Sequence, residues 1–172
     1  MKKLSLLFCF LFISLNTNAQ NSKYLKKVQT LDSTIKTLYD VISGDKGEAR
    51  NWELFYYLFK PEAKLIPTST NQQGITNTTY MLPQEYVKSS GAFITNMGFH
   101  EKEVARTVHK FGNIVQVFST YYGYNNQSKT KPFLRGINSI QLLNDGKRWW
   151  IVNIYWQQAS AKNPIPKEFM PQ

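Results

Sequence analysis

Acid–base chemistry needs a carboxylate or an imidazole held close to a transferable proton. The densest run of such groups spans residues 100–109: His100, Glu101, Glu103, Arg106 and His109. In an extended strand, side chains alternate between two faces. His100 and Arg106 then share one face, and Glu101, Glu103 and His109 share the other. A Glu–His pair on the second face could move a proton; pairing of opposite charges across strands is the plainer use of the same residues. Asp40 is a further carboxylate, at the end of an amphipathic segment, where a solvated acid is the ordinary case. Asp40 and His100 are the catalytic candidates. With two histidines, and one cysteine lying at Cys9, a zinc site would have to be completed by carboxylates. No metal and no cofactor are expected. No Ser/His/Asp spacing, glycine-rich phosphate loop or Walker motif occurs.

These groups must be positioned by secondary structure, and the hydrophobic period shows which kind. Tyr24, Val28, Leu31, Ile35, Leu38 and Ile42 recur at three and four, which predicts a first helix over residues 21–43, ended by Gly44. Trp52, Phe55, Tyr56 and Phe59 predict a second over 48–59, closed by Lys60-Pro61. A short strand over 63–66, cut by Pro67, and another over 75–81 follow. Pro83 opens a third helix that Gly98 stops. From residue 99 the period becomes two. Strands are expected over 99–110 and 114–124, then a polar loop over 125–132, and a final hairpin from Arg135 to Gln157. Its turn, Asn144-Asp145-Gly146-Lys147, carries the Asp-Gly pair that a tight hairpin favours. On the last strand Trp150, Val152, Ile154 and Trp156 share an apolar face expected to be buried. Trp149, Ile151, Asn153, Tyr155 and Gln157 share the other. Helices followed by four long antiparallel strands give an α+β class.

The first twenty residues, MKKLSLLFCFLFISLNTNAQ, have the form of a secretory signal peptide, with cleavage expected after Ala19. The apolar run is too short for a permanent transmembrane helix. The mature chain is expected in the periplasm or outside the cell, with no integral membrane segment and no cysteine. The net charge is +10, but the lysines are scattered, without an arginine-rich tract. A solvated basic surface is expected, and no nucleic-acid partner.

The order of elements resembles the nuclear transport factor 2-like superfamily, specifically its SnoaL-like bacterial branch. The matching stretches are Tyr39-Asp40-Val41-Ile42-Ser43-Gly44, then Asn51-Trp52 through Leu58-Phe59-Lys60-Pro61-Glu62-Ala63-Lys64-Leu65, then Asp145-Gly146-Lys147-Arg148-Trp149-Trp150-Ile151-Val152. The resemblance implies a cone-shaped barrel, in which a curved antiparallel sheet wraps a long N-terminal helix with two further helices. The division is a signal peptide over 1–19, the domain over 20–158, and a proline-containing tail over 159–172. It also implies an apolar pocket inside the cone and a homodimer through the outer sheet face, with Trp149, Ile151 and Tyr155 as candidate anchors. Among the superfamily's ketosteroid isomerases, the position of the catalytic base falls on Pro67, which cannot act as one. The oxyanion-holding acid falls on Asn138, and the tyrosine falls near Thr37, two residues before Tyr39. The expected pocket lining is Tyr39, Trp52, Tyr56, Phe118, Asn138, Asn153 and Tyr155. The functional expectation is a small apolar or aromatic ligand. The alternatives are a cofactor-independent acid–base enzyme (isomerase, cyclase or dehydratase type) or a dimeric structural or adaptor domain.

Overall fold

The computed structural model describes residues 23–171; the expected signal peptide lies outside them. A 3₁₀ turn, Leu25–Lys27, precedes helix α1, Leu31–Ile42. The single helix expected over 21–43 is therefore divided. Two groups divide it. Thr30 and Ser33 form a reciprocal cap that starts a new helix. The carbonyl of Val28 accepts from the backbone N–H of Trp149 at 2.8 Å, so it is spent on the sheet. Helix α1 buries Ile35, Leu38, Tyr39, Val41 and Ile42.

Helix α2, Trp52–Leu58, starts at Asn51, whose side chain accepts from Leu54 N. It buries Phe55 and Leu58. Strand β1, Phe59–Thr70, follows at once and runs through both Pro61 and Pro67. It is longer than the expected strand over 63–66. A proline can sit where only its carbonyl is needed, and the Pro67 carbonyl accepts from Thr79 N at 3.2 Å. Strand β2, Thr76–Thr78, is short and exposed. Helix α3, Pro83–Met97, has proline in its first turn and a left-handed Gly98 at its end.

Strands β3 (His100–Phe111), β4 (Ile114–Tyr124), β5 (Leu134–Asn144) and β6 (Trp149–Gln158) follow. The sheet order is β2-β1-β6-β5-β4-β3. All neighbours are antiparallel except β1 and β6, which run parallel. The sheet curves over the three helices in a cone that does not close.

Two bulges alter the expected faces. In β3, Glu103 pairs with Tyr121 and Ala105 with Thr120, so Val104 is an extra residue. The alternation shifts there. Arg106 joins Glu101 and Glu103 on the inner face, and His109 ends exposed on the outer one. The expected Glu–His face does not form. In β6, Gln141 pairs with Asn153 and Leu142 with Ile151, so Val152 is extra. Trp149 and Ile151 face the core before the bulge, and Ile154 and Trp156 after it. The strand therefore does not bury the uniform Trp150-to-Trp156 face expected from strict alternation. Trp149 and Ile151 are unavailable as surface anchors, being 7% and 0% exposed.

Arg148 is also buried. Its guanidinium lies between the rings of Trp150 and Tyr57, 3.6 and 3.9 Å from their centroids. It donates to the backbone carbonyls of Trp149 and Tyr57, tying the final hairpin to α2. The tail beyond residue 158 does not project freely. It returns over the outer sheet face, where Phe169 packs on Phe118 with centroids 5.4 Å apart. Thr120 Oγ1 donates to the Phe169 carbonyl at 2.6 Å.

Gly98 links α3 to β3 at φ 67°. A Cβ there would stand 2.6 Å from Asn126 Oδ1 and 2.7 Å from Lys46 N. Gly98→Ala should therefore lower stability by about 1–3 kcal/mol, from left-handed strain plus the clash. Urea unfolding measures this, and an unchanged midpoint would refute the account.

Candidate functional site

The cone contains a cavity of about 250 Å³ between α1, α3 and the inner sheet face. Ordinary ligand pockets run from roughly 300 to 1,000 Å³, so this one suits a molecule of about one ring. Its wall is apolar: Leu38 and Ile42 from α1, Tyr86, Phe93 and Ile94 from α3, and Leu65, Phe99, Tyr121, Leu134, Ile154 and Trp156 around them. The rings of Phe93 and Phe133 are largely exposed as well as lining it. Among its polar groups, Glu101 and Asn138 carry the chemistry; Ser90 and Gln158 are the others on side chains without a ring.

Glu101 is partly accessible yet ringed by these apolar groups. Burial pushes its carboxyl up to about 8, and the Asn138 amide only partly opposes this. Asn138 Nδ2 stands 3.5 Å from Glu101 Oε1, at the limit of a hydrogen bond.

Behind Asn138 runs a hydrogen-bond chain whose polarity can be worked out. Ser119 Oγ donates its one proton to Glu103 Oε1 at 2.5 Å. The Tyr39 hydroxyl, 2.6 Å from Ser119 Oγ, must then be the donor between those two. Tyr39 Oη in turn accepts from Asn138 Nδ2 at 3.0 Å. Every donor points towards Glu103, which Arg106 holds by its guanidinium. Arg106 also reaches Asp32 at 2.6 Å. Burial, with the nearby Glu101 charge, pushes the Tyr39 phenol far above its ordinary range, so it stays neutral. The chain fixes the Asn138 amide with its nitrogen towards Tyr39 and Glu101.

Tyr39 and Asn138, both named from the sequence, thus lie together at the cavity end: Asn138 in the wall and Tyr39 directly behind it. The other named residues lie elsewhere. Trp52 packs against the α3 backbone at Gly91 and edge-on to Phe55. Tyr56 is exposed on α2. Phe118 and Tyr155 border a separate space of about 250 Å³ between the outer sheet face and the tail. Asn153 bonds Gln141 outside the cone. Asp40 is exposed and paired with Lys36 at 2.5 Å. His100 points away from the cavity, to Asp45 at 3.0 Å. Neither catalytic candidate reaches the cavity. The residue that sequence reasoning passed over as a site is Glu101, which it paired with His109. The available signal was a carboxylate at the start of a strand beginning Phe99-His100-Glu101.

Among the described residues no cluster of His, Cys, Asp or Glu could hold a metal ion. No helix among them is long and apolar enough to cross a membrane.

The Glu101 shift sets a direction for stability. Its ordinary value is 4.5 and its folded value about 8. Below the lower value both folded and unfolded chains carry the proton. Between the two, only the unfolded chain releases it, so stability falls as pH rises and then levels. Glu101→Gln should remove that decline. Urea midpoints at about pH 5 and about pH 8.5 measure it; a variant that keeps the wild-type slope would refute the assignment.

No family's sequence profile matches this chain, and no curated protein matches it. Solved structures do. A protein of unknown function with a cystatin-like fold from Nostoc punctiforme superposes with a TM-score of 0.56 at 9% identity, covering 78% of this chain and 96% of its own. A nuclear transport factor 2-like superfamily protein from Salmonella enterica serovar Typhimurium gives 0.51 at 15% identity, over 88% and 95%. A protein from Parabacteroides distasonis, named only as a candidate ketosteroid isomerase, gives 0.53 at 12% identity, over 80% and 98%. At such identities the likeness is one of fold, and the architecture is the α+β cone of nuclear transport factor 2-like proteins.

Proposed function

We propose that this chain is an exported, SnoaL-like domain that binds a small apolar or aromatic molecule inside the cone. The observation that carries this reading is the cavity itself. It is open, walled by rings and aliphatic chains, and carries a carboxyl and an amide at one end. Apolar walls supply affinity, and a few polar groups fix orientation. Export rests on the leader sequence alone, and it places the domain in the periplasm or outside the cell.

A second reading is favoured by Glu101. A carboxyl whose proton is held up to about pH 8 can donate it to a substrate and, once ionised, take a proton from carbon, without a cofactor. An isomerase, cyclase or dehydratase built here would use Glu101, in place of Asp40 or His100, with the Asn138 amide beside it. That reading requires the wild-type chain to exchange the α-hydrogens of a bound ketone in D2O, and Glu101→Gln to stop the exchange. Absence of exchange with wild-type protein would end it.

Assembly is proposed through the part of the outer sheet face that the tail leaves bare. Phe111, Ile114 and Val152 are exposed there. Val152→Arg should convert a dimer to a monomer in sedimentation velocity; a wild-type monomer at high micromolar concentration would refute this.

Ser90 lines the cavity as a half-buried side chain of α3. A thermal-shift screen of small ring compounds should raise the Tm of the wild-type chain, and Ser90→Trp should abolish the response by occupying the space. Binding that survives Ser90→Trp, or a screen without any shift, would overturn the ligand reading.

A further inference from the structure

The cavity wall holds one carboxyl and not one cation. The chain carries 21 Lys and Arg residues against 11 Asp and Glu, yet among the described residues no Lys, Arg or His lines the cavity. A buried charge is ordinarily paired, and the next inward-facing acid shows what pairing looks like in this fold. Glu103 takes a hydrogen bond from Ser119 and is clamped by Arg106. Arg106 is committed to Glu103 and Asp32 and is not a partner of Glu101. Among the described residues the Glu101 carboxyl has only the Asn138 amide, at 3.5 Å.

We propose that the occupant of the cone is a small aryl-alkyl amine, bound as its ammonium ion by Glu101 and the aromatic faces around it. The proposal rests on the reading of the cavity as a ligand site and names the ligand class. Three features select this class. Tyr86, Phe93, Phe99, Tyr121, Phe133 and Trp156 present rings to the space, and ring faces attract ammonium groups. An ammonium–carboxylate contact in a water-poor site is stronger than the single neutral hydrogen bond an alcohol or ketone would gain. An anionic ligand would find a carboxyl and no cation. The volume, about 250 Å³, holds one ring with a short arm. The basic exterior opposes a cation only within a screening length of about 8–10 Å, which slows encounter more than it weakens the bound state.

The exchange of protons is defined. In the empty cavity Glu101 carries a proton near neutral pH. The ammonium ion enters, the ion pair forms, and that proton leaves to solvent. The groups facing Glu101 are Tyr39 from α1, Tyr86 from α3, Tyr121 from β4, Asn138 from β5 and Glu103 from its own strand. Strand β6 contributes Ile154 and Trp156, without charge. All three phenols are pushed upward by burial and stay neutral. Glu103 is held by Arg106. The released proton is therefore that of Glu101.

Isothermal titration calorimetry with 2-phenylethylammonium, 2-phenylethanol and 3-phenylpropionate tests the proposal. The ammonium ion should bind at least about tenfold tighter than the alcohol, equivalent to one 1.4 kcal/mol step. Titration in two buffers of different ionisation heat should show release of close to one proton at pH 6.5. Affinity for the ammonium ion should rise by up to roughly tenfold per pH unit until Glu101 is ionised, then level; affinity for the alcohol should stay flat. Glu101→Gln should lose the preference for the amine and keep the alcohol, which also reports that the variant is folded. If that variant fails to fold, the ranking of the three probes on the wild-type chain still decides. Equal or tighter binding of alcohol or acid would overturn the amine assignment and leave the cavity reading standing. No binding of any probe to the wild-type chain would overturn both.

Discussion

The contact on which the rest of the interior depends is the hydrogen bond between Tyr39 on α1 and Ser119 on β4. It is 2.6 Å long, links residues 80 apart in sequence, and with the Asn138 bond to the same phenol joins the helix inside the cone to the middle of the sheet by buried polar contacts. Alone, a phenol and a hydroxyl in an apolar interior gain little, because each also loses water. Here the bond is one link of a chain that begins at Asn138 and ends on an ionised pair, Glu103 with Arg106. The carboxylate orders every donor behind it, so α1, β3, β4 and β5 are set relative to one another by one direction of hydrogen bonding. Because Asn138 must donate to Tyr39, its amide is presented edge-on to Glu101 at the end of the cavity.

The same fold separates two acids that sit two residues apart. Glu103 is given a hydroxyl and a guanidinium. Glu101 is given aromatic rings and one distant amide. The difference in environment divides their roles: one holds the structure, and the other is left with unused capacity facing a space. The division depends on the bulge at Val104. Without it, Arg106 would fall on the outer face and Glu103 would be a second buried carboxyl without a cation. Bulges are used to re-aim side chains in this way, and the one at Val152 does the same for β6, turning Ile154 and Trp156 into the cone while Tyr155 faces the tail.

Cover on the outside of the sheet is also divided. The tail seats Phe169 on Phe118 and takes a hydrogen bond from Thr120, which closes part of the outer face with the chain's own residues. The β3–β4 hairpin end, with Phe111 and Ile114 at high exposure, stays bare.

The sequence by itself determined the kinds and order of the elements. Periods of three to four residues found α1, α2 and α3, the period of two found the four long strands, and the Asp-Gly pair and Gly98 marked turns, because these signals are local and each residue carries its own part of them. Tyr39 and Asn138 were both named for the pocket through the resemblance of the whole chain; that they bond each other came from the tertiary structure. What only the tertiary structure decided was which side of each strand faces in. One unpaired residue, at Val104 and again at Val152, reverses every side chain after it, and nothing in the local composition announces it, since a bulge is set by how a strand must bend to stay paired with its neighbours. Asp40 and His100, placed by local spacing, are instead drawn to surface partners, Lys36 and Asp45. Glu101 becomes the acid of the cavity because long-range pairing gave the available arginine to Glu103.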